Sequence, residues 1–504
     1  MMDAIEHLLG GFLVALAPTN LAVGAFGALI GTIVGMLPGL GPINGVAILM
    51  PLAFALKLPP ETALILLATV YIGCEYGGRI SSVLLNVPGD AGAIMTAIDG
   101  NPMARNGMGG VALSISAWSS FVGSIVATLG FVLFAPLLAR WALAFGPAEY
   151  FVLMCFAFAC ITGLMGEHPM KAALAAVIGL SLSTVGMDSN SGVYRFTGDS
   201  VHLSDGIQFV VVVIGLFSVS EILLMLESHH GNTGMIRATG RSLFNLKELA
   251  LTSWGTLRSS VLGFVIGVLP GAGATIASAI AYATEKRISD RDGTFGKGDI
   301  RGVAAPEAAN NASAVGSFVP MLTLGVPGSG TTAVMVGALT LYNITPGPAL
   351  FTQQPALVWG LMASLFVGNV ILLFINIPMV GVFTRILSVP NWALVPGILA
   401  VSSVGVYAVH ATTFDLMMMA GLGIVGYLLR KQGLPMAPLI LGFVLGDLME
   451  QNLRRALSIT NGELGILWES PIVKGLWLAA VAMVVVPPLV RVWLRRRANP
   501  SPSP

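Results

Sequence analysis

Two short stretches place polar chemistry inside apolar sequence. Residues 86–96 read "NVPGDAGAIMT" and residues 325–335 read "GVPGSGTTAVM". In both, Pro-Gly is followed by groups that hold charge or make hydrogen bonds: Asp90 in the first, Ser329, Thr331 and Thr332 in the second. A tight turn there sets backbone N–H groups beside hydroxyls, a combination suited to the oxygens of a carboxylate. The substrate-binding candidates are therefore Asn86, Pro88, Gly89 and Asp90 with Pro327, Gly328, Ser329, Thr331 and Thr332. Asp90 is equally suited to coupling a proton or Na⁺, or to capping the following helix.

A second pair of motifs adds to these. Residues 33–41 are "IVGMLPGLG" and residues 265–273 are "VIGVLPGAG", identical at five of nine positions and 232 residues apart. Pro38 lacks an N–H and fixes its φ. Gly39 and Gly41, with Gly271 and Gly273, allow a turn and a close approach. Each stretch is predicted to split a membrane helix in two, freeing N–H groups that suit an anion and carbonyls that suit Na⁺ or another hard cation. These four glycines join the substrate-binding candidates. Asn44, Glu75, Asp90, Asn310 and Asn311 are the coupling-ion candidates, and Glu307 is a further acid in apolar surroundings, where a charge is costly without a role. Arg79 in "YGGRISS" either pairs with a substrate carboxylate, holds a carbonyl or snorkels to the interface. His168 and Asp188 read as loop residues, and Cys74, Cys155 and Cys160 as packing residues without metal-ligand spacing.

The elements that must position these residues are those of a membrane protein. Of 504 residues, 55% are hydrophobic and only 10% charged, far below the roughly one quarter of a soluble domain. A net charge of +1 gives no support for nucleic acid as a partner; the partner implied is the lipid bilayer. The start of the chain lacks a basic n-region, so cleavage is not expected and residues 1–19 read as an interfacial helix. Charges gather at Arg237, Arg241, Lys247 and Arg258, between Lys286 and Arg301, and in "RVWLRRR" at 491–497. The positive-inside tendency turns these toward the cytoplasm.

The duplication extends beyond the breaks. "LLNVPG" at 84–89 matches "TLGVPG" at 323–328 at an offset of 239, and "FVG" at 121–123 matches 366–368 at 245. Short, Gly/Pro-interrupted spans that match in two halves are the sequence mark of a transporter built from repeats. The expected fold is an all-α polytopic membrane protein of roughly 12 spans, with two repeats, inverted, carrying broken helices and re-entrant hairpins. The repeats are read at 20–226 and 258–494, joined by a cytoplasmic linker at 227–257 with an amphipathic helix and followed by a basic, Pro-rich tail at 495–504. Apolar spans include 61–76, 110–135, 258–269, 304–324, 355–376 and 378–387. The tips at the two VPG motifs are expected to face each other and to move with the breaks against a scaffold that includes 110–135 and 355–376.

Enzyme signatures fail on single residues. "VLGD" at 444–447 has valine where the Gly-x-Gly-Asp of intramembrane aspartyl proteases begins with glycine, and "PGSG" at 327–330 has proline where the rhomboid Gly-x-Ser-Gly begins. The sequence contains no HExxH and no GxxxxGK[ST]. The reading is therefore a transporter, not an enzyme.

The joint occurrence of "GTIVGMLPGLGP" (31–42), "YGGRISSVLLNVPGD" (76–90), "DGNPMARNG" (99–107), "GVLPGAGATIASAIAYATEKRIS" (267–289), "FGKGDIRGVAAPEAANNA" (295–312) and "LTLGVPGSGTTAVMVGAL" (322–339) resembles the TctA family. That family is the large membrane subunit of bacterial tripartite tricarboxylate transporters, and the likeness runs from about Leu21 to Arg455. It implies secondary import of a carboxylate, citrate or a related organic acid, driven by Na⁺ or H⁺, in a multi-pass protein of the bacterial inner membrane. It also implies a small membrane subunit of the TctB type, a periplasmic solute-binding protein of the TctC type, and no cofactor besides Na⁺ as coupling ion. An anion exporter, or a permease working without a binding protein, is the competing reading.

Overall fold

The computed structural model describes residues 2–164, 168–188, 190–227, 241–271, 273–379, 382–383 and 391–498. Arg237, most of the expected span at 378–387 and the tail from 499 onward lie outside them. The described chain is helical apart from a two-stranded antiparallel ribbon, Gly186–Met187 with Tyr194–Arg195. Seven of the described helices are long and apolar enough to cross a membrane, and others are shorter apolar pieces.

The first repeat follows α1 (Met2–Ala15) and comprises α2 (Pro18–Met36), α3 (Gly41–Ala55), α4 (Pro60–Leu85), α5 (Ile94–Met103), α6 (Gly109–Ala142), α7 (Pro147–Leu164), α8 (Pro169–Ser183), α9 (Phe209–Val213) and α10 (Ser220–Glu227). The second comprises α11 (Leu246–Val268), α12 (Gly273–Ser289), α13 (Ile300–Gly316), α14 (Phe318–Leu324), α15 (Gly330–Leu341), α16 (Leu350–Gln353), α17 (Pro355–Asn376), α18 (Asn391–His410), α19 (Thr413–Lys431), α20 (Met436–Ile459), α21 (Ile466–Glu469) and α22 (Pro471–Ala498). The amphipathic stretch of the linker is continuous with the first span of the second repeat, because Asn245 caps one uninterrupted helix through a reciprocal bond pair with Glu248. The apolar run at 304–324 is two helices, α13 and α14, meeting at Ser317.

The duplication persists in the packing. Gly31 and Gly35 of α2 lie so close to α4 that a Cβ on either would strike the backbone of Val70 or Cys74. At the same offsets, Gly263 and Gly267 of α11 lie against the backbone of Ala309 and Ser313 of α13. Small residues thus bring the two backbones together in each repeat, as membrane helices require when no hydrophobic force separates protein from lipid. After each of these seams the chain ends a helix in a left-handed residue, Asn86 (φ 57°) in one repeat and Gly325 (φ 70°) in the other. Asn and Gly are the two residues that adopt this conformation at low cost.

Two sets of contacts fix the relation of the repeats. The 26 residues of α4 span about 39 Å. At its first turn Thr62 donates to Asn20, near the start of α2 (2.7 Å). At its far end the Val83 carbonyl accepts from Asn101 (3.0 Å). Beside that far end stand the loop before α13, whose Gly296, Gly298 and Asp299 N–H groups donate to Asp99 (2.8, 2.9 and 2.8 Å), and the start of α11, where the Phe244 N–H donates to Ser114 (3.1 Å). The starts of the equivalent helices α2 and α11 therefore lie at opposite ends of a membrane-length helix. The repeats are inverted.

The repeats also interlock. Gly123 of α6 packs on the backbone of Ala308 in α13, and Gly368 of α17 on Thr69 of α4, the same pair with the repeats exchanged. The basic loop before α13 and the start of α11 share one end of the molecule. α22 begins in a cluster with Ala148 and Val152 near the start of α7, and Met483 reaches Gly163 near the end of α7. It therefore runs toward that same basic end.

Candidate substrate and ion site

Both breaks, the first VPG tip and the residues just after the second line one cavity of about 730 Å³. At the breaks the chain turns through paired left-handed glycines, Gly39 and Gly41 (φ 87° and 60°) and Gly271 and Gly273 (φ 75° and 64°). At the tips the chain dips back after α4 and after α14. Gly89 then lies against Gly78 and Gly35, and Gly328 against Ser317 and Gly267, again as equivalent sets. A bond from the Gly271 N–H to the Gly328 carbonyl (2.9 Å) joins break to tip in the second repeat. The helices that follow, α5 and α15, begin at the tips, so their N-terminal N–H groups lack intrahelical partners there.

Of the sequence candidates, Gly39, Gly41, Asn44, Glu75, Pro88, Gly89, Asp90, Gly271, Gly273, Ser329 and Thr331 are on the wall. The others stand behind it. Asn86 is the exposed left-handed cap of α4. Pro327 and Gly328 form the buried turn below Ser329. Thr332 closes a capping box: the Ser329 N–H donates to its hydroxyl (2.9 Å) and its own N–H donates to the Ser329 hydroxyl (3.2 Å). Asn310 backs the acidic part of the wall and donates to Glu75 (2.8 Å). Asn311 belongs to a separate network.

The cavity has two chemically different sides. On one, Glu75 and Asp90 meet Asn310, whose Oδ1 stands where a Cβ on Gly92 would point. Asp90 accepts from the Gly92 N–H (2.9 Å). The Oδ1 atoms of Asp90, Asn310 and Asn44 are buried without a hydrogen-bond partner among the described residues. Unpaired buried acceptors are costly, and oxygens alone are the ligand type of a hard monovalent or divalent cation. On the other side, Ser329 and Thr331 carry neutral hydroxyls at the start of α15, and Tyr71 places its hydroxyl 3.2 Å from that of Ser329. Among the described residues no three His, Cys, Asp or Glu side chains gather as a transition-metal site would need.

Arg79 is neither on the wall nor at an interface. It is 1% exposed, donates to Ser120 (3.2 Å) and Asn376 (3.1 Å), and stacks over the Tyr76 ring at 4.9 Å. Ser120 in turn donates to Glu307 (3.0 Å) and accepts from Asn311 (2.8 Å), and Thr96 of α5 donates to Glu307 (2.5 Å). This network ties the helix after the first tip to α4, α6, α13 and α17. Arg79 and Glu307 are bridged through the Ser120 hydroxyl, and the network fastens side chains of the two repeats to each other.

The comparisons with known proteins decide the family. The description "Tripartite tricarboxylate transporter TctA family" matches residues 21–441, and an uncharacterised 52.8 kDa protein of Agrobacterium vitis, named for the TAR-I ttuC' 3' region, is 40% identical over 96% of each chain. The chain belongs to the TctA family. A second Agrobacterium vitis protein, named for the TAR-II ttuC' 3' region, is 44% identical over 45% of this chain and 94% of its own. No solved structure matches. As a TctA protein the chain is a membrane component of a transporter.

Among the wall residues of this TctA chain that sequence reading missed are Tyr71, Phe217 and Arg430. Tyr71 was within reach, because at the 239-residue offset it is the counterpart of Asn310. Each of the two extends from the seam helix of its own repeat to the tip of the other. Arg430 gave no such signal, since it closes an ordinary apolar span followed by Lys431.

Proposed function

We propose that this chain is the large permease subunit of a binding-protein-dependent secondary transporter that imports a carboxylate with Na⁺ or H⁺. The observation that carries the reading is a single cavity, shared by inverted repeats, with carboxylates and unpaired amide oxygens on one side and a hydroxyl-bearing helix N-terminus on the other. The first side suits the coupling ion, with Glu75, Asp90, Asn44 and Asn310 as its ligands. The second suits the carboxylate, held by Ser329, Thr331 and the N–H groups that open α15. The basic end of the molecule faces the cytoplasm of a bacterial inner membrane. A small membrane subunit and a periplasmic binding protein complete the transporter.

Access alternates when the breaks and tips move together against α6 and α17, sliding on the glycine contacts with α13 and α4 while the bonds of the Arg79–Ser120–Glu307 network exchange. The deciding experiment is uptake of labelled mono-, di- and tricarboxylates into vesicles under imposed Na⁺ or pH gradients, with and without the binding protein. Uptake that needs a cation gradient and the binding protein supports the reading. Equal rates without the binding protein favour the exporter or stand-alone permease, and no carboxylate flux in any arm overturns it.

A further inference from the structure

The cavity wall holds one basic side chain among the described residues, Arg430 of α19. It is ion-paired with Glu221 of α10, and its guanidinium lies 5.7 Å from the Phe217 ring centroid. Its Nε is buried and has no hydrogen-bond partner among the described residues. Glu221 also lies against break one, because a Cβ on Gly39 would strike its Oε1. We propose that Arg430 is a second carboxylate subsite, engaged when one carboxylate of a di- or tricarboxylate displaces Glu221 while another occupies the start of α15. This rests on the reading of the cavity as a carboxylate site.

The charges on the wall argue for it. Glu75 and Asp90 make the wall acidic, and Glu221 neutralises Arg430 through their ion pair. A monocarboxylate needs only the helix N-terminus at Ser329. A dianion brings a second charge that this end cannot neutralise, and a guanidinium offers five donors in a planar fork that matches a carboxylate. Glu221 keeps the guanidinium paired and competes with the incoming group. Substrates with two or more carboxylates are thereby selected over those with one.

The test uses the purified full chain with saturating Na⁺, and calorimetric binding of succinate, malate and citrate against butyrate and lactate. Arg430→Gln is expected to weaken the di- and tricarboxylates roughly 10- to 100-fold and to change the monocarboxylates little. Arg430→Lys restores part of the loss. Glu221→Gln is expected to act in the opposite direction, raising di- and tricarboxylate affinity, because it frees the guanidinium. An ion pair that only fastens α10 to α19 would lower binding of every ligand in both variants, and that result, or unchanged binding in both, overturns the proposal alone. Wild-type protein that binds none of the five overturns the carboxylate reading of the cavity as well.

Discussion

The two tips share their glycine contacts and differ in chemistry. At equivalent positions 239 residues apart stand Asp90 and Ser329, Glu75 and Ala314, Tyr71 and Asn310. In the first tip the carboxylate of Asp90 takes the Gly92 N–H just before α5 begins. The anion that a helix N-terminus attracts is already supplied by the protein there. In the second tip a neutral serine caps α15 through the box with Thr332, and the first turn of that helix carries no acidic residue. Under the proposed function, duplication supplied two cradles with the same glycine contacts, and substitution turned one toward a cation and the other toward an anion.

The largest expected effect tests what the tips share. A Cβ on Gly328 would lie 2.8 Å from the Ser317 Cα and 3.0 Å from the Gly267 carbonyl oxygen, and one on Gly89 would meet the Gly78 Cα at 2.8 Å and the Gly35 carbonyl. These are backbone atoms that cannot rotate aside, so overpacking of about 3 kcal/mol or more is expected. Gly89→Val and Gly328→Val should each abolish uptake at matched expression, and to the same degree. Survival of transport in one variant alone would show that only the other cradle must close on its ligand.

The sharpest test of the difference is Ser329→Asp. Aspartate caps a helix as well as serine, so α15 should stay folded and the thermal midpoint stay close to wild type. The added carboxylate fills the place assigned to the substrate and repels it. Carboxylate binding is expected to fall by roughly 100-fold or more, read by calorimetry at fixed Na⁺. Binding at wild-type strength would put the carboxylate elsewhere in the cavity.

The equivalences behind these tests were legible in the sequence to an unequal extent. The breaks and tips stand out because Pro and Gly are conspicuous in apolar runs, and their offsets align the repeats residue by residue. Motif spacing does not carry the inversion, since it depends on which end of α4 meets the loop before α13. Segment ends misled where polar residues are buried by protein. The span read at 61–76 is α4, Pro60–Leu85, and its last third carries Arg79, Ser81 and Ser82 inside the molecule. Arg79 looked like a substrate or interface residue because its partners, Ser120 and Asn376, lie 41 and 297 residues away. Arg430 and Glu221 meet across 209 residues. Repeat symmetry announces neither contact.

On the other tip, Asp90→Asn should weaken the coupling ion and spare the substrate. It removes a charge from a side where Glu75 and the two unpaired amide oxygens of Asn44 and Asn310 remain, so an intermediate loss is expected, roughly 10-fold in apparent Na⁺ affinity. Uptake measured against Na⁺ concentration at several pH values reads this directly. A carboxylate affinity at saturating Na⁺ that falls as far as the Na⁺ affinity would mean that the two sides are one site.

Thr332→Ala probes the smallest asymmetry between the tips. Only the second tip has the reciprocal box, because the position equivalent to Thr332 is Ala93, which has no hydroxyl to return a bond. The box fixes the rotamer of Ser329 by holding both its N–H and its hydroxyl. Losing a capping partner costs about 1 kcal/mol, which corresponds to roughly a 5-fold change in an equilibrium constant. If the box serves to aim Ser329 at the ligand, that cost appears in carboxylate affinity, while Na⁺ affinity stays as in wild type. Thr332→Ser keeps the hydroxyl and should behave as wild type, which separates the bond from the methyl group. Should carboxylate binding prove unchanged in Thr332→Ala while the protein melts lower, the box serves only the helix, and the N–H groups of α15 would hold the carboxylate without help from an oriented serine.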